Sequence, residues 1–131
     1  MQLLINPASE LPIYRQITHG ILQAIAGGRL KPGDKVPSHR DLAEELVIAP
    51  LTVKKAYDTL EQLGYLETQR GRGTFIAAKL PVVKLAERRQ QTRDAARKLL
   101  SQAYLGGLDF DDVIGILIEA DREIAAPSGK S

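Results

Sequence analysis

The sequence predicts a mainly α-helical chain with one small β wing. Apolar residues recur at three- and four-residue steps along successive stretches, the spacing of a buried helical face. Proline, glycine or a capping residue punctuates those stretches. Two short pieces, "YLETQ" and "TFIAA", flank "RGRG" in the pattern of a hairpin.

The elements follow in order. "LLIN" (3–6) reads as a short edge strand, ended by the turn-like "NPASE". Pro12 suits the first helical position, where its missing N–H costs nothing. Ile13, Tyr14, Ile17, Ile21, Leu22 and Ile25 then trace one helix face, and Gly27-Gly28 ends it. "RLKPGDKVP" reads as a loop, with Pro32-Gly33 as a turn signal. A second, short helix opens at Ser38, which forms an S-x-x-D capping pair with Asp41. Leu42, Ala43 and Leu46 are its apolar side. "VIA" is a tight connection. A third helix runs from Pro50 to Leu63 and stops at Gly64, with Val53, Ala56, Tyr57, Leu60 and Leu63 as its buried stripe. The hairpin follows, then "KLP" (79–81) as a hinge. A fourth helix spans 82 to about 105 and ends at Gly106-Gly107. A fifth opens at "DFDD", with Asp109 as N-cap and acids in the first turn, which suits the helix dipole. The expected organisation is a domain over 10–79, a two-helix region over 82–126 and a flexible tail over 127–131.

Composition narrows the function. The chain has 131 residues, 44% of them apolar, enough for a core. It has no cysteine, which excludes disulfide scaffolds and cysteine-ligated metal sites. Neither His19 nor His39 sits in a metal or acid–base pattern, so no metal and no cofactor is expected. "GRGTF" lacks the spacing and lysine of a phosphate-binding P-loop. An enzyme is therefore not expected. The start lacks a basic n-region, and the longest strongly apolar run, "VIGILI", is far too short to span a bilayer, so the expected setting is cytoplasmic with no membrane partner. The net charge of +2 argues for nothing by itself, but the tail is sorted into a basic stretch (Lys84 to Lys98) and then an acidic one (Asp109 to Glu123).

Helix, short helix, tight turn, helix, hairpin is the order of a winged helix-turn-helix, whose second paired helix enters the DNA major groove. At 100° per residue, the side of the third helix opposite its buried stripe carries Leu51, Lys54, Lys55, Asp58 and Gln62. Lys54 and Lys55 reach phosphates or guanine edges, and an exposed Leu51 at the leading end suits a thymine methyl. Thr52 is a phosphate ligand from the flank. Arg40 points away from Leu42 and Leu46, and the open N–H groups behind Ser38 form a phosphate seat. His39 is a further phosphate candidate. A hairpin after such a helix is a wing. Arg70 and Arg72 are drawn to the negative potential of a narrow minor groove, and Gly71 and Gly73 permit the tight turn and close approach.

The stretch "PSHRDLAEELVIAPLTVKKAYDTLEQLGYLETQRGRGTFIA" resembles the GntR-type winged-helix DNA-binding domain. The matching elements are P-S-x-R-x-L-A, T-V-x-K-A, L-E-x-x-G-x-L and x-G-x-G-T-F, and the resemblance covers about residues 10–79. It implies a bacterial transcription regulator, most often a repressor that binds operator DNA as a dimer. The family's DNA contacts map onto Arg40, onto Pro50, Leu51 and Lys54, and onto Arg70 to Gly73. Ala49 departs from the family's usual Ser or Thr, and Pro50 or Leu51 from its Arg or Asn. Ala49 gives up a capping oxygen, at about 1 kcal/mol, and Pro50 cannot make an arginine's base contact.

The tail resembles the YtrA branch of that family, whose short tail dimerises. Neither tail helix can bury its apolar stripe alone. Leu85, Thr92, Ala96, Leu99 and Ala103 keep a heptad-like seam on the fourth helix, interrupted by Arg89. Phe110, Val113, Ile114, Leu117 and Ile118 supply the fifth helix's side. The expected partners are double-stranded operator DNA and a second copy of the chain, with an unknown small-molecule effector left open. The competing reading is a winged helix that binds protein and no DNA. It predicts an apolar or acidic recognition helix, whereas this one carries lysines.

Overall fold

The computed structural model of the chain describes residues 1–125. Helix α1 (Ile13–Ala26), strand β1 (Lys35–Val36), helices α2 (His39–Leu46) and α3 (Pro50–Gln62), strands β2 (Leu66–Gln69) and β3 (Gly73–Ile76), and helices α4 (Leu85–Leu105) and α5 (Phe110–Ala125) follow in order. They fall into two units. The first holds Met1–Pro81 together with Ile124 and Ala125, the second Val82–Glu123.

In the first unit, α1 and α2 both pack on α3. Ile17 and Ile21 of α1, Leu42 and Ala43 of α2, and Val53, Ala56, Tyr57 and Leu60 of α3 meet in one core with Val36, Leu66 and Ile76. Pro12 takes the N-cap of α1 rather than its first turn. Thr18 is the buried polar residue of α1, and its hydroxyl donates to the Tyr14 carbonyl at 2.9 Å. At the start of α2, Ser38 Oγ accepts from the Asp41 amide at 3.1 Å, as the capping pair predicts. The helix closes on Val47, at φ 57 and ψ 51, a left-handed conformation that strains a β-branched residue. That turn lets the Ile48 amide reach the Ala43 carbonyl at 3.0 Å, so "VIA" reverses the chain in three residues. The helix α3 starts on an N-cap Ala49 with no side-chain bond, and Pro50 occupies its first position. Leu63 departs from the expected buried stripe. It is the C-cap and 53% exposed, because the helix ends at Gln62.

The sheet is three-stranded and antiparallel, in the order β1-β3-β2. The β2–β3 hairpin pairs Leu66 with Ile76 and Gln69 with Gly73. Two expectations change here. Residues 35–36, read as loop, form β1, because β3 offers them a second edge: Lys35 faces Phe75 and Val36 faces Thr74. "LLIN" forms no strand. Met1, Leu3 and Ile5 instead lie against the core, and Leu4 is fully turned outward. The Gln16 side chain holds this segment, accepting from the Asn6 amide at 2.8 Å and donating to the Asn6 and Leu11 carbonyls. At the other end of α1, Arg29 Nε donates to the Ile124 carbonyl at 3.0 Å.

In the second unit, α4 begins at Leu85 rather than 82 and has no buried residue along its 21 positions. Gly107, at φ 92, ends the turn after it, and the Leu108 amide returns to the Ala103 carbonyl. At the start of α5, Asp109 Oδ1 accepts from the Asp112 amide while Asp112 Oδ2 accepts from the Asp109 amide, a reciprocal cap. Only Val113 of α5 is buried. The expected tail at 127–131, and residue 126 of the expected two-helix region, lie outside the described residues. Among the described residues no helix is long and apolar enough to cross a membrane.

Candidate nucleic-acid interface

The candidate site spans three elements of the first unit. Arg40 is exposed in the first turn of α2, beside the Ser38 cap, with His39 half-buried. Ser38 Oγ is already occupied by Asp41, so its part in any phosphate contact is to set the helix end. The short helix is aimed by α3. The hydroxyl of Tyr57 donates to the Pro37 carbonyl at 2.8 Å, one residue before the cap. Burial, and secondarily the Glu45 carboxylate, push that phenol's pKa well up, so it stays a protonated donor.

The leading end of α3 is apolar and open. Leu51 is 78% exposed beside exposed Pro50, and Thr52 is half-buried on the flank. One turn on, the two lysines have different partners. Lys54 Nζ pairs with Asp58 at 2.9 Å on the exposed face. Lys55 Nζ sits 4.0 Å from the centroid of the Tyr14 ring on α1, a cation–π contact. Lys55 thus stands at the seam between α3 and α1.

The wing tip is built as its glycines require. The Arg72 amide donates to the Gln69 carbonyl at 2.9 Å, with Gly71 at φ 75 and Gly73 at φ 122. A side chain at Gly73 would be strained by that φ and would crowd Lys35 Cε. Arg70 and Arg72 are exposed, and the Arg72 guanidinium lies 6.0 Å over the Phe75 ring. Phe75 therefore holds one of the two wing cations near the sheet.

The sequence does not foretell the contacts that join Tyr14, Arg15 and Lys55. Tyr14 reads as a core-edge residue, yet its hydroxyl accepts from Arg15 Nε at 3.3 Å while its ring carries Lys55. The Arg15 hydrogen bond is the chief cause of a lowered Tyr14 pKa. The helical spacing that marks the core cannot reveal a ring face shared with a neighbouring helix.

The dimerisation candidates lie open as well. Leu85, Phe110, Ile114, Leu117 and Ile118 are exposed, as is Ala96, while Leu99 and Ala103 are half-buried. Val113 differs. It is 2% exposed within the chain itself, so it is core rather than an open contact position.

Residues 13–76 match the family described as bacterial regulatory proteins, gntR family. Over 122 residues the chain is 36% identical to the HTH-type transcriptional repressor YtrA of Bacillus subtilis (strain 168), a match covering 93% of this chain and 91% of that protein. The chain belongs to the gntR family. Within it, the chain is YtrA-like. The gntR chain also matches the crystal structure of a transcriptional antiterminator from Listeria monocytogenes EGD-e, with a TM-score of 0.80 and 28% identity, covering 100% of this chain and 98% of that one. A third likeness is to the DNA-binding domain of AraR in complex with operator ORX1, with a TM-score of 0.50 and 34% identity over 57% of this chain and 93% of that one. The gntR architecture, a helix-turn-helix with a three-stranded wing, is the one the residues build here.

Proposed function

We propose that this chain is a sequence-specific DNA-binding transcription regulator that acts in the cytoplasm as a homodimeric repressor on a pseudo-palindromic operator. The observation that carries the reading is the pairing, on one core, of an exposed helix end bearing Leu51 and Lys54 with a glycine-turned basic hairpin. Residues 10–79 supply the DNA-binding domain. Arg40 and Thr52 contact backbone phosphates, and the capped start of α2 behind Ser38 adds amide donors. Pro50, Leu51 and Lys54 meet base edges, and Lys55 the backbone. Arg70 and Arg72 enter the adjacent minor groove, with Gly71 and Gly73 against the sugar–phosphate wall.

Residues 82–126 supply the second copy's docking face. Its contacts are Leu85, Ala96, Leu99 and Ala103 of α4, and Phe110, Ile114, Leu117 and Ile118 of α5. The apolar side chains exposed there favour burial against a partner, and a two-fold dimer matches two half-sites. An effector that alters the tail would change half-site spacing through Lys79-Leu80-Pro81.

The test is fluorescence anisotropy on DNA from upstream of the protein's own gene, against a scrambled duplex, over a salt series. Binding at least about a thousandfold tighter than to the scramble, and steeply salt-dependent, is expected. Arg72→Ala and Lys54→Ala weaken it. No binding to any duplex at low salt would overturn the reading in favour of a protein partner.

A further inference from the structure

The contact surface extends from α3 onto α1. We propose that the Tyr14 hydroxyl, the Arg15 guanidinium and the Lys55 ammonium together hold one DNA backbone phosphate. This rests on the DNA-binding reading above and adds two residues to it.

The geometry is compact. Lys55 Nζ lies 4.0 Å from the Tyr14 ring centroid, and Arg15 Nε donates to the Tyr14 oxygen at 3.3 Å. One aromatic ring thus gathers two cations from two helices, one at its face and one at its hydroxyl. An anion beside the ring would attract both cations at once. Among the described residues neither cation forms a salt bridge, whereas Lys54 and Arg97 each have an aspartate. Both are therefore available to an incoming anion. Both cations are exposed, so the anion can reach them.

The anion's chemistry follows from the donors. The Tyr14 oxygen accepts from Arg15, which leaves its own O–H free to donate outward. Arg15 makes that phenol more acidic and hence a stronger donor. A guanidinium, an ammonium and a phenol O–H around one point suit a phosphate, whose several oxygens accept from all three. The adjacent α1 terminus adds to the positive potential, having no acid in its first turn and no capping side chain. Position selects DNA as the source of the phosphate. Lys55 neighbours Lys54 on the face of α3 that meets the groove, so the phosphate lies on the wall of that same groove. The ring also fixes Lys55 before DNA arrives, so less side-chain freedom is lost on binding.

The test uses the full chain and a duplex the protein itself selects from a randomised pool. Arg15→Gln and Lys55→Gln are expected to weaken binding to selected and scrambled duplexes by the same factor. Each should reduce the slope of log affinity against log salt by about one. Tyr14→Phe keeps the ring, weakens binding several-fold and leaves the slope unchanged, because the lost donor is neutral. A methylphosphonate placed at each backbone position in turn should find one position per half-site where wild type and Arg15→Gln bind equally. Arg93→Gln on α4 is the control and should change nothing. If the chain selects DNA but Arg15→Gln keeps both affinity and slope, the cluster is only a brace between α1 and α3 and the inference fails. If the pool yields no bound DNA, the DNA-binding reading itself fails and takes this inference with it.

Discussion

The hydroxyl of Tyr57 donates a 2.8 Å hydrogen bond to the carbonyl of Pro37. Tyr57 is buried in α3, and Pro37 precedes the Ser38 cap of α2. One bond therefore fixes α3 to the start of α2, where Arg40 stands. Burial of the phenol ties this alignment to the core, so stability and the relative placement of α2 and α3 share a residue.

Tyr57→Phe should destabilise the chain by about 1–2 kcal/mol, through the lost bond and the unpaired Pro37 carbonyl. The pH dependence has a definite sign. Burial, followed by Glu45, raises the folded phenol above its ordinary value of 10.0. The contribution is then complete below that value and is lost as pH rises beyond it, because only the unfolded chain releases the proton. Urea unfolding of both proteins should show their stability gap shrinking above pH 10. A gap that widens there would contradict the account.

Val47→Gly should stabilise the chain. Val47 is 88% exposed and held at φ 57, so its side chain adds strain and no packing. Relief of the left-handed conformation is worth about 1–2 kcal/mol, of which glycine's extra unfolded freedom takes back about 0.5–1. A net gain of about 0.5–1 kcal/mol should appear as a higher urea midpoint at unchanged m-value. A lower midpoint would mean that Val47 makes a contact its exposure does not suggest.

Asp58→Asn should separate stability from binding. Lys54 and Asp58 are both about half exposed, so their 2.9 Å pair contributes less than about 0.5 kcal/mol. Releasing Lys54 and removing an acid from the same face should raise affinity for any duplex several-fold and steepen the salt dependence. Unchanged affinity would place Asp58 away from the DNA.

Leu117→Asp should yield a monomer by sedimentation without unfolding the first unit, because Leu117 is 45% exposed in the single chain. With two half-sites no longer linked, operator affinity should fall by more than about a hundredfold. Retained dimerisation would remove α5 from the interface.

The helices of the first unit were legible because each rule acts over a few residues. The Ser38–Asp41 pair is a three-residue relation, and the stripe Val53, Ala56, Tyr57, Leu60 is one helix's own periodicity. The wing was legible for the same reason, since Gly71 and Gly73 must take positive φ to close the turn. Strand β1 was not, because two residues carry no alternation and pair only where β3 waits, some forty positions on. "LLIN" misled because alternating burial at Met1, Leu3 and Ile5 is a strand's pattern, here satisfied by packing and by the Gln16 amide.

The sequence by itself determined the family, the order of the helices and the exposed face of α3, since spacing and turn chemistry are local and survive in a single string. Tertiary structure alone decided that Lys55 leaves its own helix for a partner. Lys54 and Lys55 are neighbours of one residue type, yet one turns to Asp58 along its own helix and the other crosses to the Tyr14 ring. That difference depends on how α1 lies across α3, and helix crossing is set by the shapes of many buried side chains at once.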